Sequence, residues 1–397
     1  MALSPLFLEW LAKHGVKQHN ISGAHVDGLR GVVATADIEP DTVILEVPES
    51  LLMTAHSARQ DTVLNSTLHS HGQGLSAEQV LAVHLLHEVS KGETSFWAPY
   101  LQQLPHSYTT LAHFSPEACE ALQCPYARSV AHQAVQQQAA DWQQAKPVLK
   151  ALGLPPKWRS KKAWLWASAT VSSRTMYVPF CKGGALTPFG DLHNYCPPPP
   201  NALPHIEGML PPLDEAQERA SLCGDGGYDP DSQVYRLHAR RRYQGGEQVF
   251  LCYGKHTNLE LLEHYGFLLP ETNPHDTALI AASHFHKGDK PVLSEAHAAA
   301  ACFLHWDGRP AWKLLQLLRE AAATPTELKQ GRHLVLAGER VSKASDLRAL
   351  GLLQDACLRA LTALPTTVDQ DMTLLEGLGG GDECMRLVIE WRISQKR

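Results

Sequence analysis

Gly245-Gly-Glu-Gln-Val-Phe-Leu-Cys-Tyr253 runs directly into Gly254-Lys-His-Thr-Asn-Leu-Glu-Leu-Leu-Glu-His-Tyr-Gly-Phe267, and the reading of this stretch decides the fold. Gly245-Gly246 is a turn signal, and Gln248–Tyr253 is a β-rich run that Gly254 breaks. Thr257 then stands at a helix N-cap with Glu260 three residues on, so that each side chain can bond the other residue's backbone N–H. Leu259, Leu261 and Leu262 give that helix an apolar side. Gly266 ends it, because glycine enters the left-handed region at little steric cost. A strand therefore delivers Tyr253, and a two-turn helix delivers Tyr265 and Phe267. Three aromatic rings converging from two short elements make either a pocket wall or ordinary core.

The surrounding chain has 397 residues, 44% of them hydrophobic and 19% charged, which is enough apolar material for a substantial core. Its formal net charge is -6, so no basic field is available to hold a phosphate backbone, and nucleic acid is not expected as a partner. The nine cysteines are scattered singly with no CxxC pair, which speaks against a zinc site or a disulfide framework. Reduced thiols, no signal peptide and no clear transit peptide point to the cytoplasm or nucleus. No run approaches the roughly 20 apolar residues of a membrane span, so no membrane association is expected. A monomer is expected.

Upstream, the first ~20 residues read as an amphipathic helix with Leu6, Trp10 and Leu11 on one side. Asp27-Gly-Leu-Arg-Gly-Val-Val-Ala34 is a glycine turn feeding a strand, and Val43–Val47 is a second strand paired with it as a hairpin. From about 57 to 165 the period is helical, with Ser76 and Gln79 forming a second capping box. Met176–Phe180 and Val234–Leu237 read as strands. Residues 197–232, with four consecutive prolines and Gly-Asp-Gly-Gly, read as a long surface loop. After Pro270 the segments 292–304, 311–323, 345–364 and 384–394 carry apolar residues at helical spacing, which predicts an all-α unit over 275–397.

Several catalytic constellations are absent: no GxSxG elbow, no complete phosphate loop and no HExxH pair. His69-Ser-His71 and His284-Phe-His286 have the spacing to put two imidazoles on one strand face, but among 22 histidines such pairs arise by chance, and no metal is expected. Read alone, the residues give an α+β protein with a helical C-terminal part.

Three separated segments carry more. Asp27–Ala34, Gly190-Asp-Leu-His-Asn-Tyr195 and the Tyr253–Phe267 run resemble, in order and spacing, the SET-domain protein methyltransferases. The resemblance is to the branch containing the Rubisco large-subunit lysine methyltransferase and the actin-histidine methyltransferase. Within it, Met176–Phe180, Gly190–Tyr195 and Thr257–Phe267 resemble the plant "SET domain group forty" proteins. The branch implies a SET-domain β-fold over 1–270, interrupted by a helical insert with a motif like Ser95-Phe-Trp-Ala-Pro-Tyr-Leu-Gln-Gln-Leu-Pro105. A helical Rubisco-subunit-binding-type domain, for substrate or partner, would follow.

The same resemblance implies S-adenosyl-L-methionine as cofactor and a non-histone protein lysine as acceptor. Asp27, Leu29, Arg30, Arg174, Asn194, Tyr195 and Phe267 would bind the cofactor. Tyr253 would be the catalytic residue, with Asp191 and Tyr265 in the substrate channel. Tyr195 departs from the family's usual histidine. A histidine acceptor, or a protein-binding module that keeps the scaffold without the chemistry, stands as the alternative.

Overall fold

The computed structural model describes residues 3–26, 28–199, 224–269, 273–287, 290–292, 302–379 and 381–397. Helix α1 (Pro5–Lys13) buries Phe7, Trp10 and Leu11. It is shorter than the expected ~20 residues because the chain turns out at Gly15, with φ +84°. The next residues go to strands β1 (Lys17–Gln18) and β2 (Ile21–Val26). β2 pairs antiparallel with β3 (Leu29–Ala34), Ile21 facing Ala34 and Val26 facing Leu29. Gly28, at φ +80°, supplies a left-handed position between the two strands.

The expected hairpin between 27–34 and 43–47 is therefore corrected. β4 (Val43–Pro48) pairs instead with β1 and with β10 (Val234–His238). The short connection through Gly28 closes β3 onto its immediate neighbour at the smallest entropic cost, leaving β4 to other partners. β9 (Asp225–Asp229) completes the antiparallel order β1-β4-β10-β9. The end of the expected 197–232 loop is thus a strand, and residues 200–223 lie outside the described residues.

The helical insert comprises α2 (Thr62–His71), α3 (Ala77–Ser90), α4 (Ala98–Leu101), α5 (Pro116–Ala121) and α6 (Pro125–Ala151). Ser76 and Gln79 form the predicted capping box. α3 is buried on nearly every side and packs on α7 (Lys161–Arg174). α7 leads into a three-stranded sheet, β5 (Met53–Thr54), β7 (Cys181–Leu186) and β6 (Thr175–Val178), in the order β5-β7-β6. One core joins α1, these sheets and the inner helices.

β8 (Asn194–Tyr195) pairs parallel with β11 (Phe250–Leu251). The expected strand 248–253 is divided, because the extended run changes partners along its length. The Val249 N–H donates to the Val32 carbonyl at 2.8 Å, whereas the Leu251 carbonyl accepts from Cys196 at 3.1 Å and the Cys252 N–H donates to Gly224 at 2.9 Å. Tyr253 lies just past this crossing, at the end of both interactions.

In the C-terminal part, helices prevail from Trp312 onward: Trp312–Ala322, Pro325–Leu336, Lys343–Ala363, Val368–Gly377 and Glu383–Lys396. Before them lie short antiparallel pairs, β12 (Thr277–Leu279) with β15 (Phe303–His305) and β13 (His286–Lys287) with β14 (Lys290–Pro291). The expected helix 292–304 thus ends in a strand, and 293–301 lie outside the described residues. The helix Glu383–Lys396 folds back onto α5: Leu387, Val388 and Trp391 share a core with Leu111, Phe114, Leu259 and Leu262.

Candidate active site

The helix Asn258–His264 has both bonds of the Thr257/Glu260 capping box. Its exit is fixed by Gly266 at φ +76°, where a Cβ would meet the Thr109 carbonyl carbon at 2.8 Å, and the Thr109 hydroxyl donates to the Gly266 carbonyl at 2.6 Å. Tyr265 and Phe267 are held on either side of that glycine. The Tyr265 ring stacks on Tyr253 with centroids 5.2 Å apart and planes 24° from parallel. Tyr195 stands 5.1 Å from Tyr253 and 6.2 Å from Phe267, and His256 stands 5.5 Å from Tyr265. Five rings thus form one cluster, and four of them belong to the 253–267 run.

The polar ends of this cluster are tied to backbone. The Tyr253 hydroxyl donates to the His193 carbonyl at 2.5 Å, and the Tyr195 hydroxyl donates to the Gly254 carbonyl at 2.8 Å. Burial pushes the Tyr253 phenol above its ordinary range, so it stays neutral at physiological pH. The His193 ring is buried, with Nδ1 2.9 Å from the Gly190 carbonyl, and burial pushes its pKa down to about 4. Its Nε2 is buried without a partner among the described residues.

A charged group lies beside the rings. Phe189, fully buried, opens the turn Gly190–Leu192 at φ +71°, a conformation that costs a residue with a side chain roughly 1–3 kcal/mol. That turn aims the buried Asp191 carboxylate at the end of α7. Asp191 Oδ2 accepts from the Tyr100 hydroxyl at 3.0 Å and from Arg174 Nη1 at 3.2 Å. Arg174 Nη1 also donates to the Asp191 carbonyl at 2.9 Å, and its Nε to the Tyr108 hydroxyl at 3.3 Å. Burial opposes the Arg174 charge, but Asp191 overrides it and holds the guanidinium firmly protonated. Burial and the Arg174 charge push Arg30 down, while Asp191 pulls it back up. Arg174 alone bonds this carboxylate while Arg30 feels both charges, and the carboxylate's Oδ1 is buried with no bond among the described residues.

The chain was compared with known proteins. It is 35% identical over 403 residues to the Arabidopsis thaliana Protein SET DOMAIN GROUP 40, covering 94% of this chain and 79% of that one. The chain belongs to the SET-domain family. It is also 27% identical to mouse SET domain-containing protein 4, covering 98% of this chain and 88% of that one. It is 26% identical to rat actin-histidine N-methyltransferase, covering 94% of this chain and 63% of that one. A family profile described as Rubisco LSMT substrate-binding matches residues 284–397. The structure of Rubisco LSMT bound to sinefungin and monomethyllysine superposes with a TM-score of 0.63 at 21% identity, covering 99% of this chain and 89% of that one, a likeness of fold.

Within this SET-domain chain the predicted site residues separate into two groups. Tyr195, Tyr253, Tyr265 and Phe267 meet in the ring cluster, while Arg30, Arg174 and Asp191 meet in the charged group. Asn194 lies against β3: a Cβ at Gly31 would fall 2.9 Å from Asn194 Nδ2, so Gly31 is the residue that lets this amide approach. Leu29 is 67% exposed at the rim of the hairpin, and Asp27 lies outside the described residues. Arg174 faces Asp191 with Nη1, and its Nη2 has no bond to another described residue.

Sequence reading missed Tyr100, Tyr108, His193 and His256. Tyr100 sits within the Ser95–Pro105 motif, but nothing in that motif signals a partner at Asp191, 91 residues away. His69 and His71 lie exposed on helix α2, where residues two apart diverge. Among the described residues the metal-ligand grouping is Asp61, His87 and Glu88. There the Lys91 ammonium already bonds Asp61 at 2.9 Å and Glu88 at 2.6 Å and serves as the cation. No helix among the described residues is long and apolar enough to cross a membrane.

Proposed function

We propose that this chain is an S-adenosylmethionine-dependent protein methyltransferase that modifies a lysine side chain of a non-histone protein. The observation that carries it is the Tyr253 hydroxyl, held 2.5 Å from the His193 carbonyl within a cage of rings, beside a turn whose Asp191 holds Arg174. The residues fit the cofactor: a site with two guanidiniums and one carboxylate has positive charge to spare for an amino-acid carboxylate. Arg174 and Arg30 would hold that end, Asn194 and the strand at Gly31 its polar flank, and Phe267 and Tyr195 its ring. When bound, S-adenosylmethionine supplies an electrophilic methyl group on a sulfonium.

The chain's own residues do the rest. A lysine ammonium must lose its proton before it can accept a methyl group, which at pH 7 costs about 4–5 kcal/mol. Rings of Tyr195, Tyr253 and Tyr265 exclude water from the approaching amine, and desolvation of the charged form lowers that cost. Tyr253 stays neutral and presents its hydroxyl oxygen to the reacting centre. The methyllysine named for the solved fold neighbour supports a lysine acceptor. The non-histone assignment draws on the nine cysteines, which form no CxxC pair within these 397 residues.

Incubation with radiolabelled cofactor and cell extract, together with calorimetry of cofactor binding, tests this reading. Labelled protein and measurable binding are expected; the absence of both sinks it. Tyr253→Phe should lower turnover by roughly tenfold or more, about the worth of one hydrogen bond, with cofactor affinity retained. The actin-histidine relatives favour a histidine acceptor as the second reading. An imidazole with a pKa near 6.5 needs little help to be neutral, and mass spectrometry of the modified residue decides between the two.

A further inference from the structure

The helical insert carries a charged surface that methyl transfer does not use. Lys157-Trp-Arg-Ser-Lys-Lys162 places four cations in six residues of a chain whose net charge is -6. Lys157, Arg159, Lys161 and Lys162 are all exposed. No carboxylate among the described residues pairs with them. The run borders a cleft of about 580 Å³ whose floor includes Leu101, Leu104, Trp158 and Trp166.

The two tryptophan rings lie 6.3 Å apart, and Lys157 Nζ sits 4.5 Å over the Trp158 ring. The polar edge of Trp166 is satisfied by the Pro105 carbonyl at 2.8 Å, so the ring offers the cleft an apolar surface. Among the described residues a single carboxylate, Glu93, lines the cleft. Two residues past His106 in the chain, Tyr108 bonds Arg174.

We propose that this cleft docks an acidic segment of the protein substrate, its carboxylates against the Lys157–Lys162 cations and one leucine or aromatic side chain on the Trp158–Trp166 floor. Naming the substrate as occupant rests on the methyltransferase reading above. Charge complementarity selects the acidic segment, because unpaired cations at an apolar cleft attract carboxylates and discriminate against basic partners. The apolar floor selects a peptide over a polyanion, which would leave that floor uncovered.

The probe is a short fluorescein-labelled peptide of Asp and Glu bearing one Leu and one Phe, followed by anisotropy with the full chain. Binding that weakens with added salt is expected, as is a loss of roughly tenfold in Lys157→Glu/Lys162→Glu and in Trp158→Ala. The charge-reversed lysines are exposed, so that variant reports on docking rather than folding. Unchanged affinity in it overturns the proposal. Equal binding by an Asp/Glu peptide without apolar residues, or by a single-stranded oligonucleotide, also overturns it and marks a polyanion surface. Competition by the peptide against protein labelling in extract identifies the occupant as substrate; binding without competition refutes that identity. Cofactor calorimetry separates the two readings: cofactor binding without peptide binding sinks the cleft alone, and peptide binding without cofactor binding sinks the methyltransferase assignment.

Discussion

Asp191 and Asp371 are both buried carboxylates that hold arginines, and they differ in how fully each is satisfied. Asp371 bonds Thr366 at 2.7 Å and Arg392 through Oδ1, and Arg392 Nε at 3.2 Å and Lys396 at 2.6 Å through Oδ2. Lys396 extends the group to Gln123 in the insert, at 3.1 Å. Nothing is left over, and the result ties the helices Val368–Gly377 and Glu383–Lys396 to the SET half. Among the described residues Asp191 bonds through one oxygen and keeps the other buried and unpaired, with Arg174 bonded to it and the Arg30 charge also acting on it. A saturated ion group has its whole value in holding the fold. One left incomplete retains charge and bonding capacity for a ligand, the signature expected of a functional site.

The comparison predicts opposite outcomes for the two carboxylates. Asp371→Ala strands two buried cations and should cost about 3–5 kcal/mol in urea unfolding, with methyl transfer per folded molecule unchanged; a loss near zero would break the contrast. His193, beside Asp191, sharpens it through pH. The unfolded chain takes up a proton near pH 6.5 and the folded chain only near about 4. Stability is therefore full above pH 6.5 and falls as pH drops through that window, by up to about 3 kcal/mol. His193→Asn, which keeps a donor for the Gly190 carbonyl, should flatten that slope.

Asp191→Asn should lower kcat/KM by roughly 100-fold, equivalent to about 2.7 kcal/mol, while unfolding free energy moves by about 1 kcal/mol or less. The smallest effect belongs to Tyr100→Phe, which removes one neutral donor from Asp191. It should raise KM for the cofactor by roughly threefold to tenfold with little change in kcat, measured by initial rates.

What was legible in the sequence follows the distance between the residues that cooperate. Thr257 with Glu260 and Ser76 with Gln79 lie three residues apart, and both capping boxes form as read. Tyr253, Tyr265 and Phe267 share one short run and meet as rings. The Arg174–Asp191 pair was visible only as two separately assigned residues, and the tyrosines that complete it come from 66 and 91 residues upstream of their partners. Strand pairing failed for the same reason: β4 carries a clear β pattern, but its partner at Val234–His238 lies beyond any local rule. The C-terminal strands β12 to β15 are two or three residues long, too short for alternation to register.

The partner change along residues 247–252 has a consequence for assembly. Val249 is bonded to Val32, 217 positions earlier, while Leu251 and Cys252 are bonded to Cys196 and Gly224. Ordering that strand closes loops of very different length at once, and closure entropy must be met before those contacts repay it. Tyr253 is therefore positioned jointly by the N-terminal hairpin and the 194–196 segment. The pocket thus depends on both long-range closures at once, and any state of the chain that lacks this crossing strand has no cage in which to hold a reactive methyl donor.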